Sequence, residues 1–307
     1  MPVPELERPQ RLKPGDRVAV VSPSGPVRKD RLDAGCAVLR SWGLDVVLGA
    51  HVLDVEDRFE YLAGTDADRA SDLQWAWLDP GISAVFCARG GYGAHRMVDL
   101  LDWSVMAQVR PKVLAGFSDI TALHEAFAVR LGVATLHAPT VASRQLENEI
   151  SARCLRGTLF DPENSRVLTS PSASTLVSGV ASGVTVGGCL ALLADNLGTP
   201  TARLGVDGGI LILEDTREDR YRLDRMLTQL SRAGWLDGVA GIALGSWFEC
   251  EARVRDLMLD RLGALGVPIV WELGFGHGPS SLTVPLGVAA TLDADAATLT
   301  FDVPALA

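Results

Sequence analysis

No run of about 18 apolar residues occurs anywhere in the 307-residue sequence, so nothing in it reads as a membrane-spanning helix. Its first residues, MPVPELERPQRLKPGDRV, lack the apolar stretch of a secretory leader. A cytoplasmic protein with no membrane partner is the expectation. Positive charge is also scarce: 28 Lys and Arg stand against 38 Asp and Glu, for a net charge of −10. A nucleic-acid or anionic-membrane partner would need a basic face, so neither is expected. Cysteine is sparse and odd in number, with five residues at 36, 87, 154, 189 and 250 and no C-x-x-C pair. That spacing offers neither a disulfide framework nor a zinc ribbon, and reduced thiols are the simple reading. No metal and no cofactor is expected from ligand spacing, and no internal repeat is visible.

What remains is ordinary globular composition, 48% apolar and 21% charged, in a chain long enough for two domains. The first half alternates short β-branched runs (16–22, 44–48, 84–87, 113–115 and 133–136) with helical patterns (30–42, 67–78, 94–101 and 120–130). Such alternation predicts a parallel sheet covered on both faces. The expected architecture is α/β. An N-terminal parallel-sheet domain occupies 1–145, 146–183 forms a linker with at most one strand, and a smaller mixed β/α domain occupies 184–307. Within the last part, GVTVGGCLALLADNL reads as a turn entering a helix, and GVAATLDADAATLTFDV as an antiparallel hairpin. A site between the two domains is expected, since such clefts commonly bind ligands.

The chemistry-bearing candidates are few. Gly116-Phe-Ser-Asp119 lies where a strand passes sharply into a helix. A serine there exposes its hydroxyl, with the N–H of Asp119 beside it as an oxyanion donor, but a second glycine is missing at Ile120. A plain helix cap by Ser118 or Asp119 fits the same residues. Among five histidines, His277 in the glycine-rich Gly274–Pro279 loop is best placed to project as a base; His51, His95, His124 and His137 fit loop or packing roles. Glu214 ends the apolar run GGILILE, where the carboxyl end of a strand faces a crevice, and Asp215 competes with it. Both also fit a helix-capping role. Arg89-Gly-Gly-Tyr-Gly93 reads as a backbone-donor turn or a plain tight turn; Ser22-Pro-Ser-Gly25 reads as structural.

Six segments in order resemble the LD-carboxypeptidase family of serine peptidases: LKPGDRVAVVSPSGPV, ARGGYGAHRMVDLLDW, PKVLAGFSDITALH, GGCLALLADNLGTP, ILEDTREDRYRLDRMLTQL and FGHGPSSLTVPLGVAATLDA. They span about residues 11–294. The resemblance implies a usually dimeric two-domain α/β protein with its site at the junction. It implies Ser118 as nucleophile, His277 as base, Glu214 as the orienting carboxylate, and the N–H groups of Asp119 and Gly91 as the oxyanion hole. The implied substrate is a small peptide with a free C-terminal carboxylate, the murein tetrapeptide, which loses D-alanine during cell-wall recycling. Arg89 and Arg222 are candidates for that carboxylate, each with a plain surface role as the competing reading. A self-immunity peptidase of the same family, cleaving peptide–nucleotide or acyl-sulfamoyl antibiotics, is the alternative; a non-catalytic binding protein is a further one. The chain departs from the family at Cys189, where many relatives carry asparagine, and in LHAPTVAS, which replaces a smaller glycine-containing segment.

Overall fold

The computed structural model describes residues 2–307. The chain first runs β1 (Arg17–Val21), α1 (Lys29–Ser41), β2 (Asp45–Leu48), α2 (Asp66–Leu78), β3 (Ala84–Cys87), α3 (Ala94–Met97) and α4 (Trp103–Met106). It continues through β4 (Val113–Gly116), α5 (Thr121–Leu131), β5 (Thr135–His137), α6 (Arg144–Glu147) and α7 (Glu149–Phe160). Then follow β6 (Val167–Leu168), β7 (Ser174–Val177), β8 (Val180–Cys189), α8 (Leu190–Asn196), β9 (Gly209–Thr216) and α9 (Arg220–Arg232). The last elements are β10 (Gly241–Phe248), α10 (Val254–Leu262), β11 (Ile269–Trp271), β12 (Val284–Leu286), β13 (Ala289–Asp293) and β14 (Thr298–Phe301).

The first sheet has the order β12-β5-β4-β3-β1-β2, parallel throughout except for β12. Its strands are apolar on both faces because both are covered. Val18, Val20 and Phe86 meet Leu32, Cys36 and Leu39 of α1, while Ala19, Val21 and Val85 meet Leu73, Ala76 and Trp77 of α2. The i, i+4, i+7 spacing of Leu32, Cys36 and Leu39 is what lets one helix stripe face the sheet. Each such leucine contributes roughly 1.5–3 kcal/mol by leaving water. Thr65 starts α2 by accepting the Asp68 N–H at 3.1 Å.

The second sheet has the order β6-β14-β13-β8-β9-β10-β11-β7, with β8 to β11 parallel and the flanking strands antiparallel. Leu223, Leu227 and Leu230 of α9 cover one face; Ile210, Ile212 and Ala243 on the other pack with Phe275, Val284 and Leu292. The expected hairpin is present as β13 and β14.

Two expectations need correction. Residues 146–183 are not a linker: α7 places Leu155 and Leu159 in the first sheet's core, and β6, β7 and the start of β8 belong to the second sheet. The Ser, Pro and Gly content of 161–183 marks short edge strands and turns, and α7 precedes it. Likewise GVTVGGC is strand, not turn. Gly187 and Gly188 sit where the main chain of Ile212 and the side chain of Thr121 press against β8, leaving no room for a Cβ.

Candidate active site

Ser118 follows β4 and opens a single 3-10 turn, Ser118–Ile120, that runs directly into α5. Its φ is +66°, a left-handed conformation that costs a non-glycine residue on the order of 1–3 kcal/mol. A cap would not demand that geometry, and Ser118 makes no capping bond. Gly90 lies so close that a Cβ there would come within 2.9 Å of the Ser118 Cβ. The buried Asp119 carboxylate accepts the Ala94 N–H at 2.8 Å, tying the 89–93 turn to the serine turn. The Ser22–Gly25 turn supports it from behind, Gly25 N–H donating to the Gly90 carbonyl at 3.1 Å. Among the described residues, the N–H groups of Gly91 and Asp119 donate to no other protein group.

Glu214 is fully buried near the end of β9. Its Oε2 accepts from His277 Nδ1 at 2.6 Å and from the His277 main-chain N–H at 3.1 Å. Gly276, at φ +98°, allows this approach, since a Cβ there would strike Oε2 at 2.6 Å. Burial alone would raise the Glu214 pKa, but the charge and hydrogen bond of His277, with His137 close by, outweigh it and hold it at about 2. For His277 burial works downward, and the charge and hydrogen bond of Glu214 reverse it, so its pKa is raised. Asp215 does different work. It accepts the Ala191 N–H at 2.9 Å at the start of α8 and its neighbour Thr216's N–H at 2.8 Å. Burial and the Glu214 charge push it up to about 7.

A cleft of about 440 Å³ is lined by Ser118, Phe117, Gly90, Gly91, Arg89, Thr140, Thr216, Arg217, Phe248 and His277, among others. Ser118, Gly91 and His277 therefore face one space, with Glu214 beneath the histidine. Among the described residues no hydrogen bond joins the Ser118 hydroxyl to His277. The other histidines lie elsewhere. His124 gives its Nε2 to the Gly116 carbonyl at 2.9 Å, and burial pushes it down to about 3. His137 is buried behind Glu214, His95 sits on α3, and His51 pairs with Asp54 at 2.8 Å. His51, Asp54 and Asp68 lie within 4.8 Å of one another at the surface, and an imidazole between two carboxylates accounts for that grouping.

Arg222 pairs with Glu218 and does not line the cleft, whereas Arg89 does. Arg217 was missed by sequence reading; its left-handed φ of +58°, two residues beyond Asp215, left no mark in the sequence. Gln145 was missed too. Its Nε2 donates to the carbonyls of Gly276 at 2.8 Å and Gly278 at 2.5 Å, holding the His277 loop from both sides. Cys189 is a buried thiol paired in register with Glu214, and burial drives its pKa well up, so it packs as a small hydrophobe. A larger hollow of about 710 Å³ lies near Asp16, Ser83 and Lys112. These residues precede β1, β3 and β4, so it sits at the amino edge of the parallel sheet, away from Ser118.

The LD-carboxypeptidase N-terminal domain matches residues 18–138 and the LD-carboxypeptidase C-terminal domain residues 182–292. A Streptomyces coelicolor protein named "Putative carboxypeptidase" is 62% identical, over 98% of both chains. The murein tetrapeptide carboxypeptidase of Pseudomonas aeruginosa is 33% identical, over 90% of this chain and 93% of its own. The solved structure of MccF with glutamyl sulfamoyl guanosine superposes with a TM-score of 0.87 at 22% identity, covering 98% of this chain and 99% of that one. Two sheets with a cleft at their junction, in this company, define a peptidase of mixed α/β fold. The chain belongs to the LD-carboxypeptidase family.

Proposed function

We propose that the protein is a serine carboxypeptidase that removes a C-terminal D-amino acid from an L-configured centre, with the murein tetrapeptide as substrate. The observation that carries this is the 2.6 Å contact between Glu214 and His277 Nδ1, in a cleft shared with a serine held at φ +66°. With Nδ1 engaged by Glu214, the Nε2 lone pair is the one left to act as base. His277 takes the Ser118 hydroxyl proton as Oγ bonds to the scissile carbonyl carbon. The N–H groups of Asp119 and Gly91 receive the oxyanion, each such donor supplying on the order of 100–1,000-fold in rate. The C–N bond then breaks as His277 passes its proton to the leaving amine, and water, deprotonated by the same imidazole, clears the acyl-enzyme.

The carboxylate of the leaving residue meets the cleft wall at Arg89 and Arg217, the latter also paired with Glu249 at 2.6 Å. This reading accords with the resemblance to the murein tetrapeptide carboxypeptidase. A cytoplasmic homodimer is part of it. The second reading, cleavage of acyl-sulfamoyl nucleosides, draws on Phe248, which lines the cleft at 37% exposure and offers a base a stacking face.

The test incubates wild type and Ser118→Ala with L-Ala–γ-D-Glu–diaminopimelate–D-Ala and, separately, with an aminoacyl-sulfamoyl adenosine, following products by mass. D-Alanine release by wild type, abolished in the variant, is expected. Release of amino acid from the sulfamoyl compound alone would replace the first reading with the second.

A further inference from the structure

Behind the Glu214–His277 pair lies a third group that the proposed mechanism leaves unused. His137 ends β5 with no exposed surface, and neither of its ring nitrogens has a hydrogen-bond partner. The second carboxylate oxygen of Glu214, Oε1, is likewise buried and unpartnered. These groups face each other: His137 Nε2 stands 3.7 Å from Glu214 Oε1. Two orphaned polar atoms so close together are not what packing alone selects, because each unpaired buried group is costly. The ring is fixed in place by edge-on contacts with Phe117 at 5.7 Å and Phe275 at 5.9 Å. Phe117 also contacts the His277 ring at 4.7 Å, so both imidazoles pack against one side chain.

We propose that His137 is a positioning residue whose Nε2–H donates to Glu214 Oε1. The carboxylate plane is thereby fixed so that Oε2 faces His277 Nδ1. This rests on the reading of Glu214 and His277 as orienter and base. The observed separation is just beyond hydrogen-bonding range, and a small turn of either side chain closes it; such contacts often tighten only when substrate binds. Removing the donor leaves Glu214 a stronger base with a less dispersed charge, so His277 holds its proton more tightly and titrates higher. Asp215 and Arg217 beyond Glu214, Cys189 on β8 and His124 on α5 also face this cluster, and all are retained in the variants below.

The test needs no substrate, so it stands or falls apart from the peptidase assay. The imidazoles of 15N-labelled wild type, His137→Phe and His137→Gln are titrated by NMR. We expect His137→Phe to raise the His277 midpoint by about half to one pH unit, and His137→Gln, which keeps a donor, to leave it near the wild-type value. Equal midpoints in wild type and His137→Phe would overturn the proposal. Should His137→Phe fail to fold, the nitrogen shifts of wild-type His137 decide. A proton on Nε2 supports the donor role, and one on Nδ1 with bare Nε2 refutes it. A residue that merely packs would lower stability in both variants without moving the His277 midpoint.

Discussion

Glu214 and Asp215 are neighbours on one strand, both buried, and their pKa values diverge to about 2 and about 7. What separates them is partners. Glu214 meets a cationic imidazole; Asp215 meets two main-chain N–H groups and the charge of Glu214 itself. Sequence position could name both as candidates but could not choose, because the choice depends on β8 and the His277 loop arriving from elsewhere in the chain. Turn chemistry made Ser118 and His277 candidates beside a helix cap and a structural histidine, and the family resemblance singled them out; Gln145 and Arg217 have no local signature. The raised His277 pKa has a sign that can be read in activity. The base form exists only above that pKa, so kcat/KM should fall as pH drops, with its midpoint above the ordinary histidine value of 6.5. Glu214→Gln should shift that midpoint downward and reduce kcat by about 100–10,000-fold, checked by a pH–rate profile. A midpoint unmoved by the substitution would remove Glu214 from its proposed role.

At the scale of elements, the site is a meeting of turns. The β4–α5 turn supplies Ser118, the β3–α3 turn supplies Gly91, and the loop after β11 supplies His277. The alternation of strands and helices was legible in the first half because α1 and α2 carry a stripe at helical spacing. It failed at 146–183, where α7 went unread and small and polar residues at 161–183 masked β6, β7 and the start of β8. The four-residue α6 has a consequence of the same kind, for its Gln145 clamps the His277 loop through Gly276 and Gly278. Gln145→Ala leaves the buried Gly276 carbonyl and the half-buried Gly278 carbonyl without that donor. The expected cost is about 1–3 kcal/mol by urea denaturation, with a roughly tenfold loss in kcat/KM. Unchanged kinetics would show that the loop holds His277 without the clamp.

Over the whole molecule, the two sheets are laced together. β12, from the second half, pairs antiparallel with β5 at the edge of the first sheet. The last residues, Ala305 and Leu306, lie in the first sheet's core, while Val3 near the start donates its N–H to the Asp207 carbonyl at 2.8 Å. No sequence pattern announced these crossings, since strand exchange between halves leaves the periodicity of each strand unchanged. Unfolding should therefore be one cooperative transition, measured by calorimetry with coincident fluorescence and circular dichroism. The isolated fragment 1–145, stripped of β12 and α7, should not fold. Two separated transitions in the full chain would contradict this lacing. Among the described residues no helix is long and apolar enough to cross a membrane.

The central claim is that Ser118 carries the acyl group during turnover. The protein is mixed with the murein tetrapeptide and quenched with acid, the intact mass is taken, and the peptide that bears any adduct is mapped. A tripeptidyl adduct on Ser118, absent from Ser118→Ala, is expected. Full release of D-alanine by Ser118→Ala, or an adduct on any other residue, would contradict it.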